Sequence, residues 1–181
     1  MNVNIKIRVL IAAATLLAGC SVLQMFTGPK YEDGEVPLPK DYKEWPKYLS
    51  AVQRPDAKQV REIYVNPTGS KTQAGQPFVD GTMFVMENYA AVLGADGNPV
   101  TGADGKLQKG NLARVFVMSK NEGNGSKVLP ELKNGDWVYT SYDAGGAKTA
   151  DPLNTCRACH LPLVSKDYVQ RYDEYFAMRG K

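Results

Sequence analysis

Near the end of the chain two cysteines and the single histidine stand together as Cys156-Arg-Ala-Cys159-His160. In a Cys-X-X-Cys-His run both thiols can add across the two vinyl groups of a haem, because the two-residue gap matches the vinyl separation. The adjacent imidazole then reaches the iron as an axial ligand. Two rival chemistries use the same side chains. A structural zinc site wants four ligands in two separated pairs, and a chain with one His and no more than one further Cys is short of them. A thioredoxin-like dithiol wants its Cys-X-X-Cys after a strand at a helix start within a βαβ unit, whereas this motif reads as a loop near the C-terminus. One covalently bound haem c is the expectation.

The lone histidine sharpens it. With His160 on one side of the iron, a second histidine ligand from the same chain is impossible, so the sixth position belongs to Met, another side chain, water or nothing. The methionines after residue 20 are Met25, Met83, Met86, Met118 and Met178, and strand methionines more often fill gaps in a core than bind metal.

Haem c attachment requires export, and the other end of the chain supplies it. Residues 1–8 carry Lys6 and Arg8 with no acid, and the apolar run from Val9 to Ala18 is half the length that spans a bilayer. It ends in Leu17-Ala18-Gly19-Cys20, which resembles the lipobox of bacterial lipoproteins. That resemblance implies a signal peptide over residues 1–19 and a mature protein beginning at a lipid-modified Cys20. Several acyl chains on that residue would exceed the one-chain threshold of marginal membrane binding. The expected location is the bacterial periplasm, lipid-anchored to a membrane, and Ser21 rather than Asp after the Cys favours the outer one. Every cysteine then has a task, and none is left for a disulfide.

The 181 residues are 43% hydrophobic and 23% charged, near the average of a globular protein. Removal of residues 1–19 takes Lys6 and Arg8 and leaves 20 cations against 19 anions, too balanced for a nucleic-acid binder. Residues 20–40, with Gly28, Pro29, Gly34, Pro37 and Pro39 among mixed charges, read as a flexible tether. Residues 41–181 then form one domain.

The elements that must position the motif follow from pattern. A short amphipathic helix from Asp41 carries Trp45, Tyr48 and Leu49, and strands are expected at Val60–Val65, Thr82–Val92, Leu112–Ser119 and Trp137–Tyr142. Residues 94–110 hold two Asp-Gly pairs and read as an exposed hairpin loop, and no internal repeat is evident. Asp167 is expected to cap a helix from Tyr168 to Met178, with Tyr168, Tyr172, Tyr175 and Phe176 on one face. Successive strands joined by hairpin-length loops give an α+β fold, mainly antiparallel sheet with an N-terminal and a C-terminal helix.

At this point the chain resembles a family. The blocks Val60-Arg-Glu-Ile-Tyr-Val-Asn66, Gly75-Gln-Pro-Phe-Val-Asp-Gly-Thr82 running into Phe84-Val-Met-Glu87, Val115-Phe-Val-Met118, Trp137 and Cys156 to His160 with Asp167-Tyr168-Val169 look like the cytochrome P-460 family over about residues 41–178. The resemblance implies a mostly antiparallel β fold with one haem c, often as a homodimer, and extends to the β-sheet cytochromes c′ that bind nitric oxide at a five-coordinate iron. In cytochromes P-460 a strand lysine is joined to the porphyrin rim and the modified haem oxidises hydroxylamine. That lysine falls on Met86, which has no nitrogen to offer. Lys120 is the nearest substitute, on a different strand.

Around the iron, Arg61 is a candidate for the distal side or for pairing the haem carboxylates. Phe78, Phe84 and Met86 are candidates for a distal wall, with core packing the competing role for the two phenylalanines. Glu87 and Asp151 are candidate acids or bases, with a solvated surface carboxylate as the commoner alternative for each. The functional expectation is a membrane-anchored cytochrome that binds or transforms small nitrogen species, nitric oxide or hydroxylamine, with a redox partner protein. The alternative is an electron carrier with a six-coordinate haem.

Overall fold

The computed structural model describes residues 28–180. Five segments rich in β-branched and aromatic residues pair in sequence order as one antiparallel sheet: β1 (Lys47–Arg54), β2 (Gln59–Val65), β3 (Met83–Ala91), β4 (Lys109–Lys120) and β5 (Trp137–Asp143). Two short helices follow, α1 (Asn154–His160) and α2 (Tyr172–Arg179). The α+β class with antiparallel sheet dominant therefore holds, but both helices are C-terminal.

Because side chains alternate across a strand, the sheet carries two separate cores. On one face Tyr48, Leu49, Val65, Phe84, Trp137 and Tyr139 pack with Phe78 and with Val169, Tyr172 and Tyr175 from the C-terminal segment. On the other, Tyr64, Val85, Val115, Val117, Val138 and Tyr142 are covered by Val36 and Tyr42 from the N-terminal segment. Removing each large apolar side chain from water contributes roughly 1.5–3 kcal/mol. A sheet of this length, buried on both faces, has no need of a disulfide.

Several expectations require correction. The N-terminal helix is only a single 3-10 turn over Tyr42–Glu44, and Tyr48 and Leu49 lie in β1. Pro46 disfavours helical geometry in Trp45 and cannot donate into a helix ladder. The C-terminal helix begins at Tyr172, four residues later than its apolar spacing suggested. Asp167, Tyr168 and Arg171 all have positive φ, so residues 167–171 form a folded-back loop rather than a first turn. Asp167 caps nothing there; its carboxylate accepts from Lys120 Nζ at 2.9 Å and from the Phe78 N–H at 2.9 Å.

The described part of the expected tether is laid along the domain. Asp33 accepts the Tyr139 N–H at 2.9 Å, the Gly34 N–H donates to Tyr139 O at 2.7 Å, and Val36 is wholly buried. Residues 28–38 thus form a strap over the free edge of β5. Between β3 and β4 there is also a repeat: Gly-Ala-Asp-Gly occurs at 94–97 and again at 102–105. In each copy the fourth residue's N–H bonds to the first residue's carbonyl at 3.0 Å, and Gly97 and Gly105 share a φ of +74°. Each is a type I turn closed by a left-handed glycine, which explains the repeated residue types.

Candidate functional site

The motif is not in a loop. Cys156, Cys159 and His160 occupy the seven-residue helix α1, which lies against the sheet face that carries Trp137 and Tyr139. Its anchor is Arg157, between the two cysteines and fully buried. Arg157 Nε and Nη2 donate to Asp33 Oδ2 and Oδ1 at 2.6 and 2.9 Å, and Nη2 also reaches Trp137 O at 3.2 Å. Asn134 closes the arrangement, donating to Arg157 O at 3.3 Å and accepting from the Tyr139 hydroxyl at 3.1 Å. A bidentate charge-assisted pair of this kind orients both partners. The sequence reading missed it: Arg157 counted as a spacer and Asp33 as part of the tether.

With α1 fixed, the chemistry of each motif side chain follows. His160 Nδ1 is 2.6 Å from Tyr168 O. A carbonyl only accepts, so Nδ1 carries the proton and Nε2 presents its lone pair, the arrangement in which imidazole ligates iron. Burial pushes the His160 pKa below its ordinary value, against the pull of the Tyr168 hydrogen bond. The imidazole ring packs 5.2 Å from that of Tyr139. The left-handed backbone at Tyr168, φ +59°, is what turns its carbonyl to the histidine. Cys159 is exposed; Cys156 is half-buried and burial pushes its thiol pKa up.

Across the same face the strand registers place residues in three rows. The innermost, Val65, Phe84, Met118 and Tyr139, is packed beneath the C-terminal segment. The middle row is Ile63, Met86, Phe116 and Ser141, and its first three members are only half-buried. The outer row is Arg61, Asn88, Arg114 and Asp143. The middle row is therefore an apolar shelf, and the outer row edges it with two guanidinium groups.

Two buried polar atoms of the outer row, Arg61 Nε and Asn88 Oδ1, have no hydrogen-bond partner. Both side chains are held instead through Gln59 Oε1, each at 3.3 Å. Burial, and then Arg54 nearby, pull the Arg61 pKa down. Orphaned buried polar atoms of this kind are rare in a finished interior, and an unpaired guanidinium N–H beside an apolar shelf suits a flat apolar ring that carries carboxylates. The residues present fit a haem.

The remaining candidates separate cleanly. Met86 is on the shelf. Phe84 shares its sheet face but lies one row inward, in edge-to-face contact with Phe78 at 5.0 Å; both belong to the aromatic core and not to a distal wall. Lys120 Nζ is engaged by Asp167 and by Phe78 O at 2.8 Å, so its amine is not free to meet a porphyrin rim. Glu87 points to the opposite face. It is neither a solvated carboxylate nor on the motif side: it is 1% exposed and accepts from the hydroxyls of Tyr42, Tyr64 and Tyr89 at 2.7, 3.2 and 2.9 Å. Asp151 is on the motif side, with Oδ1 3.6 Å from Arg114 Nη2. Cys20 and Met25 lie outside the described residues.

Comparison with known families agrees with this geometry. The family model described as Cytochrome P460 matches residues 39–171. The chain belongs to the Cytochrome P460 family. No curated protein sequence is similar enough to match it. As in other members of the Cytochrome P460 family, the haem is covalently bound, and the single Cys-X-X-Cys-His run provides for one.

Proposed function

We propose that this chain is a periplasm-facing cytochrome, anchored through a lipid on Cys20, that binds and transforms small nitrogen species such as nitric oxide or hydroxylamine. The observation that carries the reading is the half-buried shelf of Ile63, Met86 and Phe116 on the side of a motif whose protein holds one histidine. When bound, haem supplies a redox-active iron able to coordinate a small ligand.

The chain's own residues do the rest. Cys156 and Cys159 hold the macrocycle by thioether bonds, and His160 offers Nε2 to the metal with its orientation set by Tyr168 O. Arg61 and Arg114, in the row that edges the shelf, would pair the carboxylates of a bound haem. Ile63, Met86 and Phe116 would lie against the bound haem as an apolar wall and keep water from that side of it. Met86 has no nitrogen and Lys120 is bound to Asp167, which supports a haem with no lysine bond. Electrons pass to or from a redox partner protein, and a homodimer is the assembly that the family suggests.

A second reading rests on Met86 itself. As the methionine of the shelf, with Met118 packed in the inner row, it is the thioether best sited to be a sixth ligand, and that would favour electron transfer. Purified protein made in cells that mature haem c separates the readings. The expected result is a pyridine haemochrome of the two-thioether type, an intact mass with no loss of hydrogens beyond haem addition, and a ferrous spectrum that shifts on adding nitric oxide. A sharp low-spin ferrous α band indifferent to nitric oxide would favour the carrier; a red-shifted Soret band with a lowered mass would mean a lysine bond after all.

A further inference from the structure

The middle row of the shelf ends on β5 at Ser141, a buried hydroxyl in register with Phe116. Ser141 Oγ is 2.6 Å from Thr149 Oγ1, and Thr149 Oγ1 donates to Asp151 Oδ2 at 2.9 Å. Thr149 is itself half-buried, and its N–H bonds to Ser141 O at 3.0 Å, so the segment beyond β5 runs beside the strand and holds the two hydroxyls on one face. Exposure rises along the series, from 1% at Ser141 to 33% for the Asp151 side chain. An unbroken line of exchangeable protons thus leads from the shelf to water.

The line has a direction. An ionised carboxylate only accepts, so the single hydroxyl proton of Thr149 is committed to Asp151. Ser141 must then donate to Thr149, which leaves the Ser141 oxygen lone pairs open to a proton arriving from elsewhere. The resting polarity is outward, with a base at its solvent end. The groups in hydrogen-bond or ion-pair reach of Asp151 among the described residues are Thr149 and Arg114 on β4.

We infer that Ser141, Thr149 and Asp151 form a proton-export relay from the haem-facing shelf to solvent, matched to a small nitrogen reductant that must shed N–H or O–H protons as it is oxidised. The inference rests on the reading of the shelf as the reaction face. For hydroxylamine the balance is the loss of two protons and two electrons to give nitroxyl, HNO. A bound haem would take the two electrons and pass them to a one-electron acceptor. Each proton passes to Ser141 Oγ as the Ser141 proton moves to Thr149 and the Thr149 proton to Asp151, which releases it to water. These are positioning and relay residues; nitric oxide, which carries no proton, has no use for them.

The test uses the haem-loaded protein and two probe ligands. Hydrogen cyanide must lose a proton to bind ferric haem as an anion, whereas nitric oxide binds with no proton to lose. Thr149→Val, close to isosteric, should slow cyanide binding by about 100-fold, the lower end for a positioned proton acceptor, and leave the nitric oxide on-rate unchanged. Thr149→Ser should restore the cyanide rate, and Asp151→Asn should behave as Thr149→Val does. Equal slowing of both probes, or of neither, overturns the relay. Hydroxylamine oxidation with ferricyanide forms the separate arm: a relay that passes the cyanide test in a protein inert to hydroxylamine keeps the proton path and rejects the proposed reaction.

Discussion

The two faces of the sheet solve the problem of a buried charged group in opposite ways. On the face away from the motif, Glu87 is more completely buried than any carboxylate near the haem site and is fully satisfied, with three tyrosine hydroxyls within 3.2 Å and Lys43 Nζ at 3.7 Å. On the motif face, Arg61 is half-buried and Asn88 buried, and each leaves a buried atom unpaired. A satisfied polar cluster costs little and adds specificity; an unsatisfied one is destabilising until something fills it. The contrast teaches where to look for a ligand: beside the polar groups whose partners are missing, not the most buried ones.

The largest expected effect comes from the one ion pair that ties the motif to the N-terminal strap. Asp33→Ala leaves the Arg157 guanidinium buried and uncompensated, and should cost about 3–5 kcal/mol, read as a lowered denaturation midpoint together with reduced haem incorporation. Asp33→Glu recovering most of the loss would locate the effect in the charge; no loss from Asp33→Ala would mean that the strap is dispensable.

Breaking the satisfied face comes next. Glu87→Ala strands three hydroxyls, two of them on buried tyrosines, for about 1–3 kcal/mol, and should leave the ferrous spectrum unchanged because Glu87 faces away from the shelf. A spectral shift there would dissolve the distinction between the faces.

Arg61→Leu should do the reverse. Removal of a guanidinium whose Nε has no partner, at the loss of one long hydrogen bond from Nη2 to Gln59, ought to be within about 1 kcal/mol of neutral in the haem-free chain, while the haem-loaded protein changes its midpoint potential as a cation beside the carboxylates is lost. A large stability loss in the haem-free chain would show that Arg61 is satisfied before haem arrives.

The smallest effect belongs to Glu62. Burial raises its pKa, but Lys109 and Lys47, at 3.0 and 3.2 Å, outweigh that and hold it below its ordinary value of 4.5. The group therefore contributes stability that is fully present above pH 4.5 and is lost as pH falls through the lower folded value. The two lysines are more than 40% exposed, so solvent screening keeps the contribution under about 1 kcal/mol. Glu62→Gln should flatten that part of the acid unfolding curve and lower stability at neutral pH by no more than that amount, with little change in acid.

What could be read from residues alone was whatever lies close in sequence. The Cys-X-X-Cys-His spacing is a local fact, and so is the alternation that marks β2, β3, β4 and β5. β1 was lost because its register shifts twice, between Lys47 and Leu49 and between Leu49 and Val52, which erases the period of two. The Asp33–Arg157 pair spans 124 residues, and no local pattern announces it. Alternation correctly put Phe84 and Met86 on one face, but only the neighbouring strands decide that the first row is covered and the second is half open. Glu87 carried the opposite difficulty, since burial of a carboxylate needs three tyrosines drawn from separate stretches of chain. The Ser141–Thr149–Asp151 line passes through residues of the commonest types, and nothing in their order distinguishes them from a turn.

The strap has a mechanical consequence. Residues 28–38 hang from the domain through the β5 edge and through Asp33, whose partner sits between the two cysteines of the motif. Tension applied at the N-terminus would pull on Asp33 as soon as the preceding contacts gave way, and would reach the motif helix while β1, β2 and β3 still bore no load. A pull on the strap would thus be felt first at the helix that carries the Cys-X-X-Cys-His run.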